Sequence, residues 1–137
     1  LEKDVQIVFF IPFIVYMADA VGTQTQTIYA RDLLRGKARF LTYFVKETGL
    51  GLILGSLFGI ASFVIVSLWL KSFSLALAVG VSTLAAVGSA PLVALLVTEL
   101  LELEHRDPAI GAGPIATVIQ DAISVLVYGL IASALLL

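Results

Sequence analysis

Residues 110–137 read IGAGPIATVIQDAISVLVYGLIASALLL, and Asp121 is the one charged residue among them. A helix needs about 20 mostly apolar residues to cross the hydrocarbon core of a bilayer. Three further stretches of this kind run from about Val5 to Leu34, from Leu41 to Leu70 and from Phe73 to Leu103. Every backbone polar group in lipid needs an internal partner, and no hairpin pattern indicates a barrel. The sequence therefore predicts an all-α membrane bundle with four spanning helices.

Composition supports a membrane protein and excludes several other classes. Of the 137 residues, 60% are hydrophobic and 13% are charged, and the mean hydropathy is +1.08. A water-soluble domain of this length needs more charge on its surface, so we expect lipid as the surrounding partner. The net charge of −2 gives no indication of a nucleic-acid partner, and the absence of Cys excludes a thiolate metal site.

The beginning of the chain has no charged segment followed by a small-residue cleavage site, so it does not resemble a signal peptide. Leu1 stands where Met would begin a protein. We expect an earlier spanning helix to precede Leu1 in the natural protein. The alternative is a complete small protein with both ends outside the cell.

Basic residues predict the orientation in a plasma membrane. The connection between the first two spans holds most of them, namely Arg31, Arg35, Lys37, Arg39 and Lys46, whereas the next connection has Lys71. Lys and Arg are enriched in cytoplasmic loops. The Arg35–Arg39 loop and the Glu99–Asp107 loop are therefore predicted to be cytoplasmic, with both chain ends outside. His105, in the second of these loops, is predicted to be solvated.

Small residues in the second and third spans indicate close helix packing. Gly51, Gly55 and Gly59 recur at four-residue steps, a spacing that lets two helices approach closely. Pro91 in the third span is expected to mark a kink. These features predict how the helices pack and give no information about transport.

Two carboxylates lie deep in the apolar spans, Asp19 and Asp121. A charge at the bilayer centre costs roughly 2.5 kcal/mol or more, so such residues are rare and usually functional. Asp19 lies 12 residues before Arg31, and Asp121 lies 13 residues after Pro108. At 1.5 Å per residue, both are roughly 18–20 Å from the predicted cytoplasmic edge. The sequence predicts that the two carboxylates share one layer of the membrane.

Each carboxylate is centred on a polar stripe at helical spacing, which predicts a hydrophilic path through the bundle. The stripes consist of Tyr16, Asp19, Thr23 and Gln26 on the first span and Thr117, Asp121, Ser124 and Tyr128 on the fourth. Carboxylate, carbonyl and hydroxyl oxygens suit Mg²⁺, Ca²⁺ or Mn²⁺, and Mg²⁺ is often held through its water by one or two carboxylates. A two-fold dimer would offer four such charges.

Two structural interpretations stay open at this point. A buried Asp can be protonated and bond to a neighbouring helix without any ion contact. The polar residues after Asp19 can likewise serve only to hold helices together, which applies to Gln24, Thr25, Gln26 and Thr27.

The same residues resemble the membrane domain of the MgtE-type magnesium channels and transporters, in order and spacing along nearly the whole chain. The first span carries Pro12, then Gly22-Thr23-Gln24-Thr25-Gln26-Thr27 and Arg31, similar to the family's Pro, Gly-x-Gln-x-x-Thr and Arg pattern. The other similar segments are Lys46 to Gly51, Val79 to Ser82, and Asp107-Pro108-Ala109 with Gly113-Pro114, Ala116-Thr117 and Asp121.

The resemblance implies the second to fifth helices of a five-helix domain, in a homodimer whose pore is lined by the first and fourth spans. It implies Mg²⁺ as the transported ion, held in its hydrated form by Asp121. It further implies carbonyl or hydroxyl contributions from Gly113, Ala116 and Thr117. We also expect Asp19 to be a second metal-binding residue, and we expect the pore to be lined by Thr23, Gln24, Gln26 and Ser124.

The sequence also departs from the family pattern. Many members have Gly-Gly-Asn where this chain has Ala18-Asp19-Ala20, so an Asn is lost and a carboxylate is gained. Gly113 stands where Asn is frequent. We expect these differences to alter the choice among Mg²⁺, Mn²⁺ and Ca²⁺.

Three alternatives compete with an ion pore. An exchanger coupled to Na⁺ or H⁺ would use buried Asp residues equally well. An intramembrane aspartyl protease would need Asp19 and Asp121 of one chain in contact, but its Tyr-Asp and Gly-x-Gly-Asp pairings are missing, so no enzyme is predicted. A purely structural subunit would leave Asp121 unexplained.

Overall fold

The computed structural model describes residues 2–36, 39–103 and 108–137, and for residues 3, 101–103 and 108–113 it describes the backbone alone. Within these ranges every regular element is a helix: α1 Glu2–Phe9, α2 Ile11–Leu34, α3 Phe40–Leu70, α4 Phe73–Leu103 and α5 Pro108–Leu136. Four segments are long and apolar enough to cross a membrane, Asp4–Leu34, Phe40–Leu70, Phe73–Leu100 and Pro114–Leu136. The prediction of an all-α bundle with four spanning helices is confirmed.

The first predicted span, from about Val5 to Leu34, corresponds to α1 and α2 together, and the helix is interrupted at Phe10. Pro12 has no N–H to donate, and its ring collides with the carbonyl four residues earlier in a regular helix. The backbone instead makes a tighter turn, in which the Phe10 N–H donates to the Ile7 carbonyl at 3.4 Å. The same carbonyl accepts a bond of 2.7 Å from the Tyr128 hydroxyl, so this break is tied to α5.

Helices α3 and α4 form an antiparallel hairpin with a very short connection. Lys71 ends α3 in the left-handed conformation, with φ of 52°, and its N–H donates to the Ser67 carbonyl at 3.1 Å. The Ser72 hydroxyl accepts a bond of 3.3 Å from the Leu75 N–H, which caps the start of α4. Two residues therefore reverse the chain across the membrane.

Glycines bring the backbones of this hairpin together. A methyl group placed on Gly51, Gly55 or Gly59 would lie 2.6, 2.8 or 2.9 Å from the nearest carbonyl oxygen of α4. Real side-chain carbons do not come this close to backbone atoms, so only glycine fits. The predicted packing role of the four-residue glycine spacing is confirmed.

Helix α4 occupies the centre of the bundle, in contact with α2, α3 and α5. Over its most apolar window 56% of the residues are buried, against 28% in each of the other three spans. Small side chains line its buried faces, including Ala86, Ala90 and Ala94. The helix continues through Pro91, which packs beside Gly51. Because these side chains of α4 are small, α2 and α5 can both pack closely against α4 and contact each other.

The outer surface of the bundle is apolar, as a lipid-facing surface must be. Helix α3 exposes a large share of this surface, with Leu52, Ile53, Leu57, Ile60, Leu68 and Trp69 all more than half exposed. Such a surface would aggregate in water, whereas hydrocarbon covers it without cost. The chain is a multi-pass membrane protein in both its composition and its fold.

We predict that Gly55→Ala lowers the free energy of unfolding by about 1–3 kcal/mol, because the added methyl meets backbone atoms of Leu84 and Gly88. Thermal unfolding in detergent measures the effect. Gly49→Ala is the matched control on the same helix, since no atom lies within 4 Å of the added carbon. Equal stability of the two variants would contradict close packing at Gly55.

Candidate functional site

The two intramembrane carboxylates meet inside the chain. Helices α2 and α5 pack against each other, and the side chains of Asp19 and Asp121 interact at hydrogen-bonding range. One oxygen of each carboxyl group, Oδ1, is buried and has no hydrogen-bond partner. The two carboxylates that the sequence predicted to share one layer of the membrane are thus neighbours in the bundle, and their depth in a bilayer stays a prediction.

The electrostatics of this pair favour a cation. Two ionised carboxyl groups in contact repel each other unless a proton or a cation lies between them. Arg31, three turns along α2 from Asp19, forms its ion pair with Asp32 instead, with 3.2 Å between its Nε and the carboxylate oxygen. The pair therefore presents negative charge and unpartnered oxygens in a region of low dielectric constant.

A small cavity of about 10 Å³ lies beside Asp19, between α2, α4 and α5. Its apolar wall consists of small side chains, which leave the space open: Gly22, Ala90, Val93, Ala94 and Ala116. Its polar wall consists of Asp19, Thr23, Gln26, Thr117 and Gln120. Asp19, Thr23, Gln26, Ala116 and Thr117 were all predicted from the sequence as metal or pore residues, and the fold brings them together.

Gln120 is the polar residue of this cavity that the sequence prediction missed. It is 3% exposed, and its amide nitrogen donates to the Ser124 hydroxyl at 3.2 Å and to the Ala86 carbonyl at 3.5 Å. Its Oε1 has no partner. An amide inside an apolar spanning helix was the available signal, because burying it needs a compensating partner.

The remaining predicted residues have different surroundings. Ser124 and Tyr128 are buried inside the single chain, where α5 packs on its neighbours, and the pore-lining role of Ser124 stays a prediction. Gln24 is exposed and does not line the cavity, so its pore role stays a prediction. Gly113 lies in α5, within the part described by backbone alone. Residues 104–107, including His105, lie outside the described residues.

A second polar set lies on another face of α2. The Thr25 hydroxyl donates to Glu47 Oε2 of α3 at 2.9 Å, and the Tyr29 hydroxyl donates to Glu99 Oε2 of α4 at 2.7 Å. The Tyr43 hydroxyl of α3 donates in turn to Asp32. Thr25 therefore belongs to the packing contacts of α2, whereas Gln26, the next residue, faces the cavity.

The donor set suits an ion that keeps its water. Among residues whose side chains are described, no group of three His, Cys, Asp or Glu side chains could enclose a metal. Two carboxylates with amide and hydroxyl groups are too few for a dehydrated divalent ion, but they can accept hydrogen bonds from the water around one. The contact between Asp19 and Asp121 is also the geometry that a protease would need, so distance alone does not separate the two chemistries.

Comparison with known proteins distinguishes an ion transporter from a protease. The profile of the MgtE family, described as a divalent cation transporter, matches residues 11–131. This chain belongs to the MgtE family. The resemblance inferred from the sequence motifs is confirmed, and because MgtE is a family of transporters, the protease alternative is set aside.

Two relatives of the MgtE family are named magnesium transporter MgtE. The protein from Enterococcus faecalis is 31% identical over 127 residues, which cover 90% of this chain and 28% of the relative. The protein from Bacillus subtilis is 24% identical over 137 residues, which cover 98% of this chain and 30% of the relative. The chain thus spans less than a third of the length of each.

We predict that Thr25→Val lowers the free energy of unfolding by about 1–2 kcal/mol, because Glu47, which is 5% exposed, loses its hydroxyl donor. Thermal unfolding in detergent is again the measurement. Thr27→Val is the matched control on the same helix, since Thr27 is exposed. Thr25→Ser, which keeps the hydroxyl, should restore most of the loss, and equal effects of the two valine substitutions would count against the bond.

Proposed function

We propose that this chain forms the membrane path of a divalent-cation transporter, with Mg²⁺ as its main ion and Asp121 as the central ion-binding residue. The observation that carries the proposal is that the carboxyl groups of Asp19 and Asp121 lie within interaction range of each other between α2 and α5, with one unpartnered oxygen on each. Charge at this depth is costly and is kept where an ion uses it. Membership in a family of divalent cation transporters supports the same function.

The carboxylates act on a hydrated ion. Mg²⁺ releases its water reluctantly, so the carboxylate oxygens accept hydrogen bonds from the water shell while their charge offsets the loss of bulk solvent. Thr117 and Thr23, which are both exposed at the cavity, provide hydroxyl groups along the same side. Backbone carbonyls near Gly113 and Ala116 extend this series of acceptors along α5.

The path runs between two copies of the chain. A cavity of about 10 Å³ has room for roughly one water molecule, whereas a hydrated Mg²⁺ carries several. A two-fold dimer that joins the α2 and α5 surfaces would bring together four carboxylates around a wider opening. In this arrangement Gln24 has access to the path from outside the single-chain cavity.

The orientation follows the distribution of basic residues. The protein would lie in the plasma membrane with the Arg35–Arg39 and Glu99–Asp107 loops in the cytoplasm and with both ends of this chain outside. Transport could be passive or coupled to Na⁺ or H⁺. Flux measured with and without a Na⁺ or pH gradient separates a channel from an exchanger, because only an exchanger depends on the gradient.

We predict that Asp121→Asn reduces Mg²⁺ flux by at least about tenfold, since the neutral amide keeps the shape and removes the charge. The measurement uses full-length protein in proteoliposomes with a Mg²⁺-sensitive dye inside. Asp4→Asn, at an exposed position on α1, is the matched control and should conduct normally. Wild-type flux through a folded Asp121→Asn or Asp121→Ala protein would end the proposal.

We predict that Asp19→Ala lowers Mg²⁺ flux less than Asp121→Asn does, or changes the preference among ions. Removal of one carboxylate leaves Asp121 in place but changes the number of charges that the hydration shell meets. Flux should fall, or the order of preference among Mg²⁺, Mn²⁺ and Ca²⁺ should change, in the same liposome assay. If both flux and preference match the wild type, Asp19 is a packing residue.

A further inference from the structure

Helix α2, which carries Asp19, packs less closely on α4 than α3 does. The buried side chains next to Asp19 are small, among them Ala18 and Gly22. A methyl group placed on Gly22 would lie 3.6 Å from the Ala90 carbonyl oxygen of α4, which is an ordinary contact distance. The same methyl on the closely packed glycines of α3 would meet α4 at 2.6, 2.8 or 2.9 Å. Packing at the level of Asp19 therefore leaves α2 room to turn about its own axis.

Tyr29 gives α2 a more specific contact than this packing does. It is among the largest fully buried side chains in the described part of the chain, with 1% of its surface exposed. Its hydroxyl donates to Glu99 Oε2 of α4 at 2.7 Å, and its ring lies against Tyr43 of α3 with 4.9 Å between the ring centres. A hydrogen bond to a carboxylate is roughly twice as strong as one between neutral groups. Tyr29 therefore joins α2 to both α3 and α4.

Thr25 makes a second bond of the same kind, one turn before Tyr29. Its hydroxyl donates to Glu47 Oε2 of α3 at 2.9 Å, and α2 and α3 make few other contacts. Neither Thr25 nor Tyr29 lines the cavity beside Asp19. The two hydroxyl groups thus hold α2 from a side of the helix that does not meet the ion path.

The position of Asp19 is linked to these bonds through the helix itself. Asp19 lies ten residues before Tyr29, which places it about 15 Å along the helix and about 80° around its axis. Because α2 is continuous from Ile11 to Leu34, a turn of the helix at Tyr29 also turns Asp19. Loss of a bond on one side of α2 therefore moves the carboxyl group on the other side.

We propose that Tyr29 and Thr25 are positioning residues for the ion path. Their bonds to α4 and α3 hold α2 at the rotation that keeps Asp19 beside Asp121. This inference rests on the proposed function, in which both carboxylates meet the hydration shell of the ion. Mg²⁺ demands near-octahedral geometry, whereas Ca²⁺ accepts about 6–8 oxygen ligands in flexible geometry. Displacement of Asp19 therefore hinders Mg²⁺ more than Ca²⁺.

The first test removes the Tyr29 hydroxyl and keeps the ring. Tyr29→Phe should lower the ratio of Mg²⁺ flux to Ca²⁺ flux by roughly three- to tenfold, the effect of about one hydrogen bond. This ratio does not depend on the fraction of folded protein, so a loss of stability alone leaves it unchanged. Glu99→Gln keeps an acceptor for the hydroxyl and should retain at least half of the wild-type ratio. A wild-type ratio in Tyr29→Phe would overturn the proposal.

The second test asks whether Tyr29 acts through Asp19. In an Asp19→Ala protein the carboxylate to be positioned is gone, so adding Tyr29→Phe should change the flux ratio by less than about twofold. An equal fall of the ratio with and without Asp19 would overturn the proposal, because Tyr29 would then act independently of Asp19. An Asp19→Ala protein with wild-type flux and wild-type preference would overturn it as well.

Thr25→Val decides the proposal if Tyr29→Phe does not fold. It removes the second bond and should lower the flux ratio in the same direction. Thr27→Val, at an exposed position of the same helix, is the matched control and should keep the wild-type ratio. Equal ratios in the two valine variants would overturn the positioning role.

The proposed function and the positioning role can fail separately. Mg²⁺ flux that survives Asp121→Asn rejects the ion path itself. Loss of flux in Asp121→Asn, together with a wild-type ratio in Tyr29→Phe, rejects only the role of Tyr29 and Thr25. All measurements use full-length protein in the same proteoliposomes, with folding checked by thermal unfolding in detergent.

Discussion

The contact between Asp19 and Asp121 is the constraint on which the rest of the structure depends. Two carboxyl groups in a low-dielectric interior repel each other, and only a proton, a cation or water can make their contact stable. The described residues near them supply small side chains, hydroxyl groups and two amides instead of a basic partner. A fold that keeps this arrangement needs rigid support from the surrounding helices.

Helices α3 and α4 provide that support. Their glycine contacts hold the hairpin at a separation where no side chain fits, so α4 has a fixed position against α3. The other faces of α4 are lined by alanines, which let α2 and α5 come close enough for their aspartates to meet. The two groups of residues have different roles. Glycine and alanine determine the distances between helices, whereas the polar residues of α2 and α5 carry the charge.

Helix α2 has two polar faces with different roles. The face that contains Asp19, Gly22, Thr23 and Gln26 lines the cavity, and the face that contains Thr25 and Tyr29 bonds to Glu47 of α3 and Glu99 of α4. Helices α2 and α3 make few other contacts, so the hydroxyl-to-carboxylate bond between Thr25 and Glu47 is a principal link between them. Polar residues in one helix thus serve both the packing of helices and the wall of the cavity, and neighbours in sequence can belong to different sets.

The sequence by itself determined the class of fold, the four spans and the depth of both carboxylates, because hydropathy, helical rise and the cost of buried charge act locally along the chain. It also carried the motifs that identify the MgtE family. Only the tertiary structure decided that Gln120 faces the cavity, that Thr25 binds Glu47, and that Ser124 and Tyr128 are buried. Each of these depends on side chains that are remote in sequence and on the rotation of one helix against another. The break at Phe10 depends on both sequence and tertiary structure. Pro12 causes it locally, but the Tyr128 hydroxyl that bonds to the freed carbonyl comes from α5.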